Sequence, residues 1–158
     1  MLPEEITKYE GKLLGTRKLE VEKGAIRKYA DAVGDYNPLY WDEEYARRLG
    51  YRSILAPPGF FGWPERWHPA GPLFTEETEP IRDALARLGL GVPIDGGMDF
   101  EFFRPVQAGD VLTASFYVKD LVDRTGKAGR LVFWIAVTEY ADADGQPVAS
   151  ARMTFIHR

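Results

Sequence analysis

The chain has 158 residues, 45% of them hydrophobic and 13% aromatic, enough to bury a core and unlike a disordered tract. It has no cysteine, which removes disulfide frameworks, thiolate metal sites and cysteine nucleophiles, and two distant histidines build no metal site. The formal charge of -4 is dispersed and leaves no basic stripe for nucleic acid. The acidic N-terminus and the lack of any apolar run near the ~20 residues of a membrane span predict a soluble, cytoplasmic protein.

No internal repeat or linker divides the chain, so one domain is expected over 1–158. Leu13 to Val21 reads as a strand. From Glu22 to Val33, Ala25, Ile26, Tyr29, Ala30 and Val33 recur at helical spacing and predict a helix with one buried stripe, ended by Gly34. Asn37-Pro38 signals a turn. Asp42 is placed to cap a short helix over Glu43 to Leu49, with Glu43 and Glu44 in its first turn and Gly50 at its end. Ala56-Pro57-Pro58-Gly59 is a rigid bend. Residues 60–72 hold Phe60, Phe61, Trp63, Trp67 and His68 and form either an aromatic loop or the opening of a helix. Thr75 to Leu88 predicts a second helix capped by Thr75, with Pro80 limiting how early its regular body starts.

After Gly96-Gly97 the period changes. Met98 to Phe103 alternates until Arg104-Pro105 interrupts. Val111 to Leu121 alternates again, with Leu112, Ala114, Phe116 and Val118 on one face. Leu131 to Tyr140 is almost continuously apolar, the pattern of a strand buried on both faces. Asp142 to Gly145 reads as a hairpin turn, and Ala149, Ala151, Met153 and Phe155 share a face of the last strand. The order of elements predicts an α+β fold, an antiparallel curved sheet wrapped around a long apolar helix.

The run from Tyr29 to Ala46, holding Asp35-Tyr-Asn-Pro-Leu-Tyr-Trp-Asp42, continues into Gly50-Tyr51 and Ala56-Pro-Pro-Gly-Phe60. Gly97-Met-Asp-Phe-Glu-Phe-Phe-Arg-Pro-Val-Gln-Ala-Gly-Asp110 follows downstream. Together they resemble the MaoC-like (R)-specific enoyl-CoA hydratase/dehydratase family over nearly the whole chain, and its N-terminal-type dehydratase domains most. That family carries Asp-x-Asn-Pro-x-His, then a glycine-containing bend, and later Arg-Pro and Gly-Asp between strands. The resemblance implies a hot-dog fold. It also implies hydration of an enoyl-thioester, or the reverse dehydration, with a coenzyme A or carrier-protein thioester as substrate and no further cofactor. In the family, aspartate and histidine activate one water, and a backbone N–H at the bend binds the thioester oxygen as charge grows on it.

The chain departs from that pattern in two places. Asp35 and Asn37 match, but Tyr40 stands where histidine is expected. A phenol titrates near ~10 and donates a hydrogen bond at neutral pH rather than acting as a base. A gapless count puts Pro58, which has no N–H, at the oxyanion glycine, and a shift of one residue restores Gly59. Some bacterial relatives pair a complete domain with a degenerate one that contributes acyl-chain and coenzyme A contacts. The resemblance therefore implies a hetero-oligomer with a second, His-bearing MaoC-like chain. A self-sufficient homodimer using Asp35 as base and Tyr40 as proton donor is one alternative, and a non-catalytic acyl-CoA-binding module is another.

Each candidate also has a purely structural reading. Asp35 and Asn37 can close turns, Tyr40 can be a packed aromatic, and Asp42 a helix cap. Phe60 and the following aromatics can be core or interface material rather than an acyl pocket, and His68 a loop residue. Arg104 can terminate a strand or meet a coenzyme A phosphate.

Overall fold

Three consecutive strands of the five are joined by hairpins, and all five, numbered along the chain, lie in one antiparallel sheet of order β1-β3-β4-β5-β2. The computed structural model describes residues 1–60, 76–127 and 129–158. In chain order the elements are α1 (Glu4–Thr7), β1 (Leu13–Glu20), α2 (Lys23–Val33), a single 3-10 turn (Pro38–Tyr40), α3 (Glu43–Arg48), α4 (Glu79–Arg87), β2 (Pro93–Phe102), β3 (Val111–Gly126), β4 (Gly129–Ala141) and β5 (Pro147–His157).

The inward residues of each strand meet helices on one side of the sheet. Ile81, Ala84 and Leu85 recur at helical spacing on α4 and bury against Val118, Leu121, Val132, Trp134, Ala136, Met153 and Phe155. Full burial of a side chain such as Ile81 or Leu85 contributes roughly 1.5–3 kcal/mol. A second cluster joins Ile26 of α2, Ile54 and Phe60 of the bend, Leu112, Tyr140 and Val148. The arrangement is the hot-dog fold that the resemblance implies.

Several expectations hold in detail. Gly34 ends α2 in the left-handed region, and Asp42 caps α3 by accepting hydrogen bonds from the Glu44 and Tyr45 N–H groups. Leu112, Ala114 and Val118 are buried on the inner face of β3, with Phe116 packed beside them.

Others are corrected. The strand expected from Met98 begins at Pro93, and the glycine pair sits inside it as a bulge. A Cβ on Gly96 would stand 2.9 Å from the Thr154 carbonyl oxygen, so a residue with a side chain does not fit that approach of β5. The helix expected from Thr75 begins at Glu79, with Pro80 in its first turn, and α4 is a short amphipathic helix rather than a long apolar one. Thr75 itself, with Phe61, Trp63, Trp67 and His68, lies outside the described residues.

β3 runs past Leu121 to Gly126, because its pairing with β4 continues to Gly126 opposite Gly129. β4 is buried on one face only. Val132, Trp134, Ala136, Thr138 and Tyr140 are buried, while Leu131, Phe133, Ile135 and Val137 are partly exposed on the other. No described element covers that outer face. The sequence gives no sign of α1, yet it carries Ile6 into the α4 cluster. Among the described residues no helix is long and apolar enough to cross a membrane.

Candidate functional site

Asp35 is held by its position at the end of α2. Its N–H donates to the Ala30 carbonyl at 2.9 Å, and its Oδ1 accepts the Asn37 N–H at 3.1 Å. Asn37 repeats the device one step later. Its Oδ1 accepts the Leu39 N–H at 3.1 Å and caps the 3-10 turn that begins at Pro38. The Trp41 indole N–H then closes the loop on the Asp35 carbonyl oxygen at 3.0 Å, and Arg27 Nη2 donates to the Trp41 carbonyl at 3.0 Å. Asp35 therefore has a fixed backbone on both sides, with one carboxylate oxygen already engaged by Asn37.

The turn carries Tyr40 inward, where it packs on the cluster that also holds Phe60, Ile26 and Tyr29. Burial pushes the Tyr40 phenol above its usual range, and the nearby Asp35 carboxylate pushes it further the same way. Both effects keep the proton on the phenol. Tyr40 thus stays a neutral phenol, near enough to Asp35 to feel its charge.

The bend is tied to the same turn. The Leu55 N–H donates to the Leu39 carbonyl, and the Ala56 N–H to the Val106 carbonyl. Pro57 to Phe60 forms a tight turn closed by the Phe60 N–H on the Pro57 carbonyl at 3.1 Å, with Gly59 at φ 85° in its third position. Pro58 has no N–H and that of Phe60 is engaged, whereas among the described residues no hydrogen bond takes up the Gly59 N–H. Phe60 itself is fully buried, its ring edge-on to Tyr29 at 5.9 Å. Tyr29 was legible in the sequence only as part of a buried helical stripe. The structure gives it a second contact: its hydroxyl lies directly over Gly59.

Arg104 is placed differently from the other candidates. Its Nη2 donates to Asp142 Oδ2 at 3.0 Å, and its Nη1 lies 3.7 Å from Asp110 Oδ2. Asp110 also takes Arg52 Nη2 at 2.6 Å and the Gln107 N–H at 2.9 Å. Gln107 Oε1 in turn accepts the Arg52 N–H at 2.6 Å. This network fastens the Arg104–Asp110 corner to the chain entering the bend and to the β4–β5 hairpin. Its links to the bend and to the hairpin, Arg52 with Asp110 and Arg104 with Asp142, join residues 58 and 38 positions apart in the sequence.

Residues 9–151 match the family described as FAS1-like, dehydratase domain region. A UPF0336 protein of Saccharopolyspora erythraea is 31% identical over 144 residues, covering 90% of this chain and 84% of that protein. A protein of Thermomonospora curvata named as a probable enoyl-CoA hydratase alpha subunit is 30% identical over 135 residues, covering 80% of this chain and 41% of that protein. Among solved structures, the ChsH1-ChsH2 complex of Mycobacterium tuberculosis matches with a TM-score of 0.80 and 20% identity over 97% of this chain and 88% of that one. The HadBC 3R-hydroxyacyl-ACP dehydratase complex of Mycobacterium tuberculosis matches with a TM-score of 0.64 and 24% identity, covering 89% and 90%. At these identities the structural likenesses speak for the fold. With the family match spanning nearly the whole chain and the fold shared with a solved MaoC-like dehydratase, the protein belongs to the FAS1-like, dehydratase domain region family.

Proposed function

We propose that the chain is a subunit of an enoyl-thioester hydratase, acting in reverse as a 3-hydroxyacyl-thioester dehydratase, that depends on a second hot-dog chain for its imidazole. The observation that carries this reading is Tyr40, a phenol at the position of the family's histidine and kept protonated by burial and by Asp35. Hydration places the water oxygen on the β-carbon of the enoyl group and a proton on the α-carbon. A neutral phenol can donate a hydrogen bond to that water but cannot take its proton at neutral pH. Support for a two-chain enzyme comes from the neighbours, two of which are two-component complexes, and from the relative named an alpha subunit.

In this reading the bend contributes the polarising group. The Gly59 N–H meets the thioester oxygen as negative charge grows there, and buried Phe60 supports the turn that aims it. Pro58 fixes the turn's second position and supplies no donor. Asn37 orients Asp35 rather than touching substrate. Arg104, whose charge is met by Asp142 and Asp110, holds the corner and is not needed for a coenzyme A phosphate. The thioester carrier is coenzyme A or an acyl-carrier protein.

The test is turnover of crotonyl-CoA by the pure, contaminant-free chain and by the chain copurified with its native partner. Negligible turnover alone and family-level turnover with the partner is the expected result. Family-level turnover by the chain alone sinks the dependence on a partner. A second reading, a homodimer with Asp35 as base and Tyr40 as proton donor, is favoured by the same protonated phenol beside a carboxylate. Asp35→Asn and Tyr40→Phe would then each abolish the activity of the pure chain.

A further inference from the structure

We infer that the Tyr29 hydroxyl is a second hydrogen-bond donor to the substrate's thioester oxygen, beside the Gly59 N–H. The inference rests on the role given to the Gly59 N–H above and supplies what that role lacks.

The bend is short of donors. A site that stabilises charge growing on a carbonyl oxygen aims several donors at it, from backbone N–H groups or from side chains such as tyrosine. Here Pro57 and Pro58 have no N–H, and the Phe60 N–H is engaged by the Pro57 carbonyl. Of residues 57–60, only Gly59 keeps a free backbone donor.

Tyr29 brings another donor to the same point. It stands on α2 one residue before Ala30, whose carbonyl holds the Asp35 N–H. One helix therefore positions both the phenol and the start of the Asp35 turn. A Cβ built on Gly59 would lie 2.6 Å from the Tyr29 oxygen. Such a Cβ shares its α-carbon with the Gly59 nitrogen, so that oxygen and nitrogen are about 5 Å apart or less. Two donors can each reach one acceptor at roughly 2.7–3.1 Å only if they stand less than about 6 Å apart. This pair meets that condition. Gly59 is what lets the phenol come so close, since any side chain there would occupy its place.

The hydroxyl is also available. Packing accounts for the ring, which is edge-on to Phe60 at 5.9 Å and lies against the cluster that holds Ile26. Neither contact uses the oxygen. A buried tyrosine hydroxyl usually finds a hydrogen-bond partner, whereas that of Tyr29 has none among the described residues. The side chain is half-buried and its oxygen is not sealed from solvent. A hydroxyl pinned over the bend, reachable and unpartnered, can donate to an arriving carbonyl oxygen.

Tyr29→Phe keeps the ring and removes the donor. The probe is butyryl-CoA isotopically labelled at the thioester carbon, which has no double bond to hydrate and whose carbon resonance moves downfield when its carbonyl is polarised. Wild type and variant are compared as the full chain with any partner that copurifies. Wild type is expected to move the resonance downfield, and Tyr29→Phe to lose about half of that shift with affinity within about threefold. In whichever form turns over crotonyl-CoA, the chain alone or with its partner, the variant should lower kcat by about 10²-fold and leave KM within about twofold. A fluorinated tyrosine at position 29, a stronger donor of nearly the same shape, should enlarge the shift, which a misfolded protein does not do. An unchanged shift in Tyr29→Phe overturns the inference, whatever happens to kcat, and leaves the Gly59 role standing. No binding or no downfield shift in wild type overturns both. The need for a partner is judged by the turnover of wild type alone, so it can fail without touching this assignment.

Discussion

The hydroxyl of Tyr29 and the backbone of Gly59 leave no room for a methyl group between them: a Cβ on Gly59 would stand 2.6 Å from the phenolic oxygen. Gly59 also sits at φ 85°, where a side chain is strained regardless of space. Gly59→Ala is therefore expected to cost about 1–3 kcal/mol of stability, read from the urea midpoint. Tyr29→Phe in the same chain removes the clashing oxygen and should recover part of the loss. Full recovery would mean that the backbone angle contributes nothing. No recovery would mean that Tyr29 does not close over the bend.

Tyr40→His offers a gain of function. Asp35 is already fixed by Ala30 and Asn37, so an imidazole at position 40 completes the family's pair. Crotonyl-CoA hydration by the pure chain should rise by on the order of 10²–10⁴, the usual contribution of a positioned general acid–base group. A folded Tyr40→His variant with unchanged turnover would show that something other than the missing imidazole limits the chain.

What the sequence revealed of this protein was what is local. The end of α2 at Gly34, the Asp42 cap and the Asn37 turn each depend on bonds spanning a few residues, and each was legible. Pairings across the sheet were not. Gly96-Gly97 reads as a boundary until β5 is laid against it, and β4 reads as doubly buried because apolar content does not say whether a second layer exists. The site divides the same way. Asp35, Asn37 and Tyr40 lie on one short segment and were found together, whereas the Tyr29 contact with Gly59 and the Arg104 network join segments about thirty residues apart or more.

Arg104 separates structure from substrate binding. Hydrogen bonds from the Gln146 N–H and from Arg104 hold the Asp142 carboxyl below its usual range, the backbone bond contributing most. Arg104→Gln should cost about 1 kcal/mol or less, because the ion pairs it loses are partly exposed. The affinity of the chain for crotonyl-CoA, measured by calorimetry, should stay within about threefold, a change worth under 1 kcal/mol. A fall of tenfold or more at unchanged fold would return Arg104 to the substrate.

His157 gives the fold a pH dependence whose sign can be worked out. It is fully buried and stacked on Trp134, with Nδ1 at 3.1 Å from the Leu90 carbonyl oxygen. A carbonyl only accepts, so Nδ1 carries the proton and Nε2 is bare, and Nε2 has no partner among the described residues. Protonating Nε2 would bury an unpaired charge. Burial accordingly holds His157 below its usual range, only partly opposed by the bond to Leu90. The unfolded chain binds a proton below about pH 6.5 that the folded chain refuses. Stability from this group is complete above that pH and falls as pH drops toward the folded value, by at most about 1.4 kcal/mol per unit. His157→Gln keeps a donor for Leu90 and has no such proton. Urea midpoints of wild type should fall faster than those of the variant between pH 6.5 and 5, and parallel curves would show that the imidazole takes up its proton in the folded state.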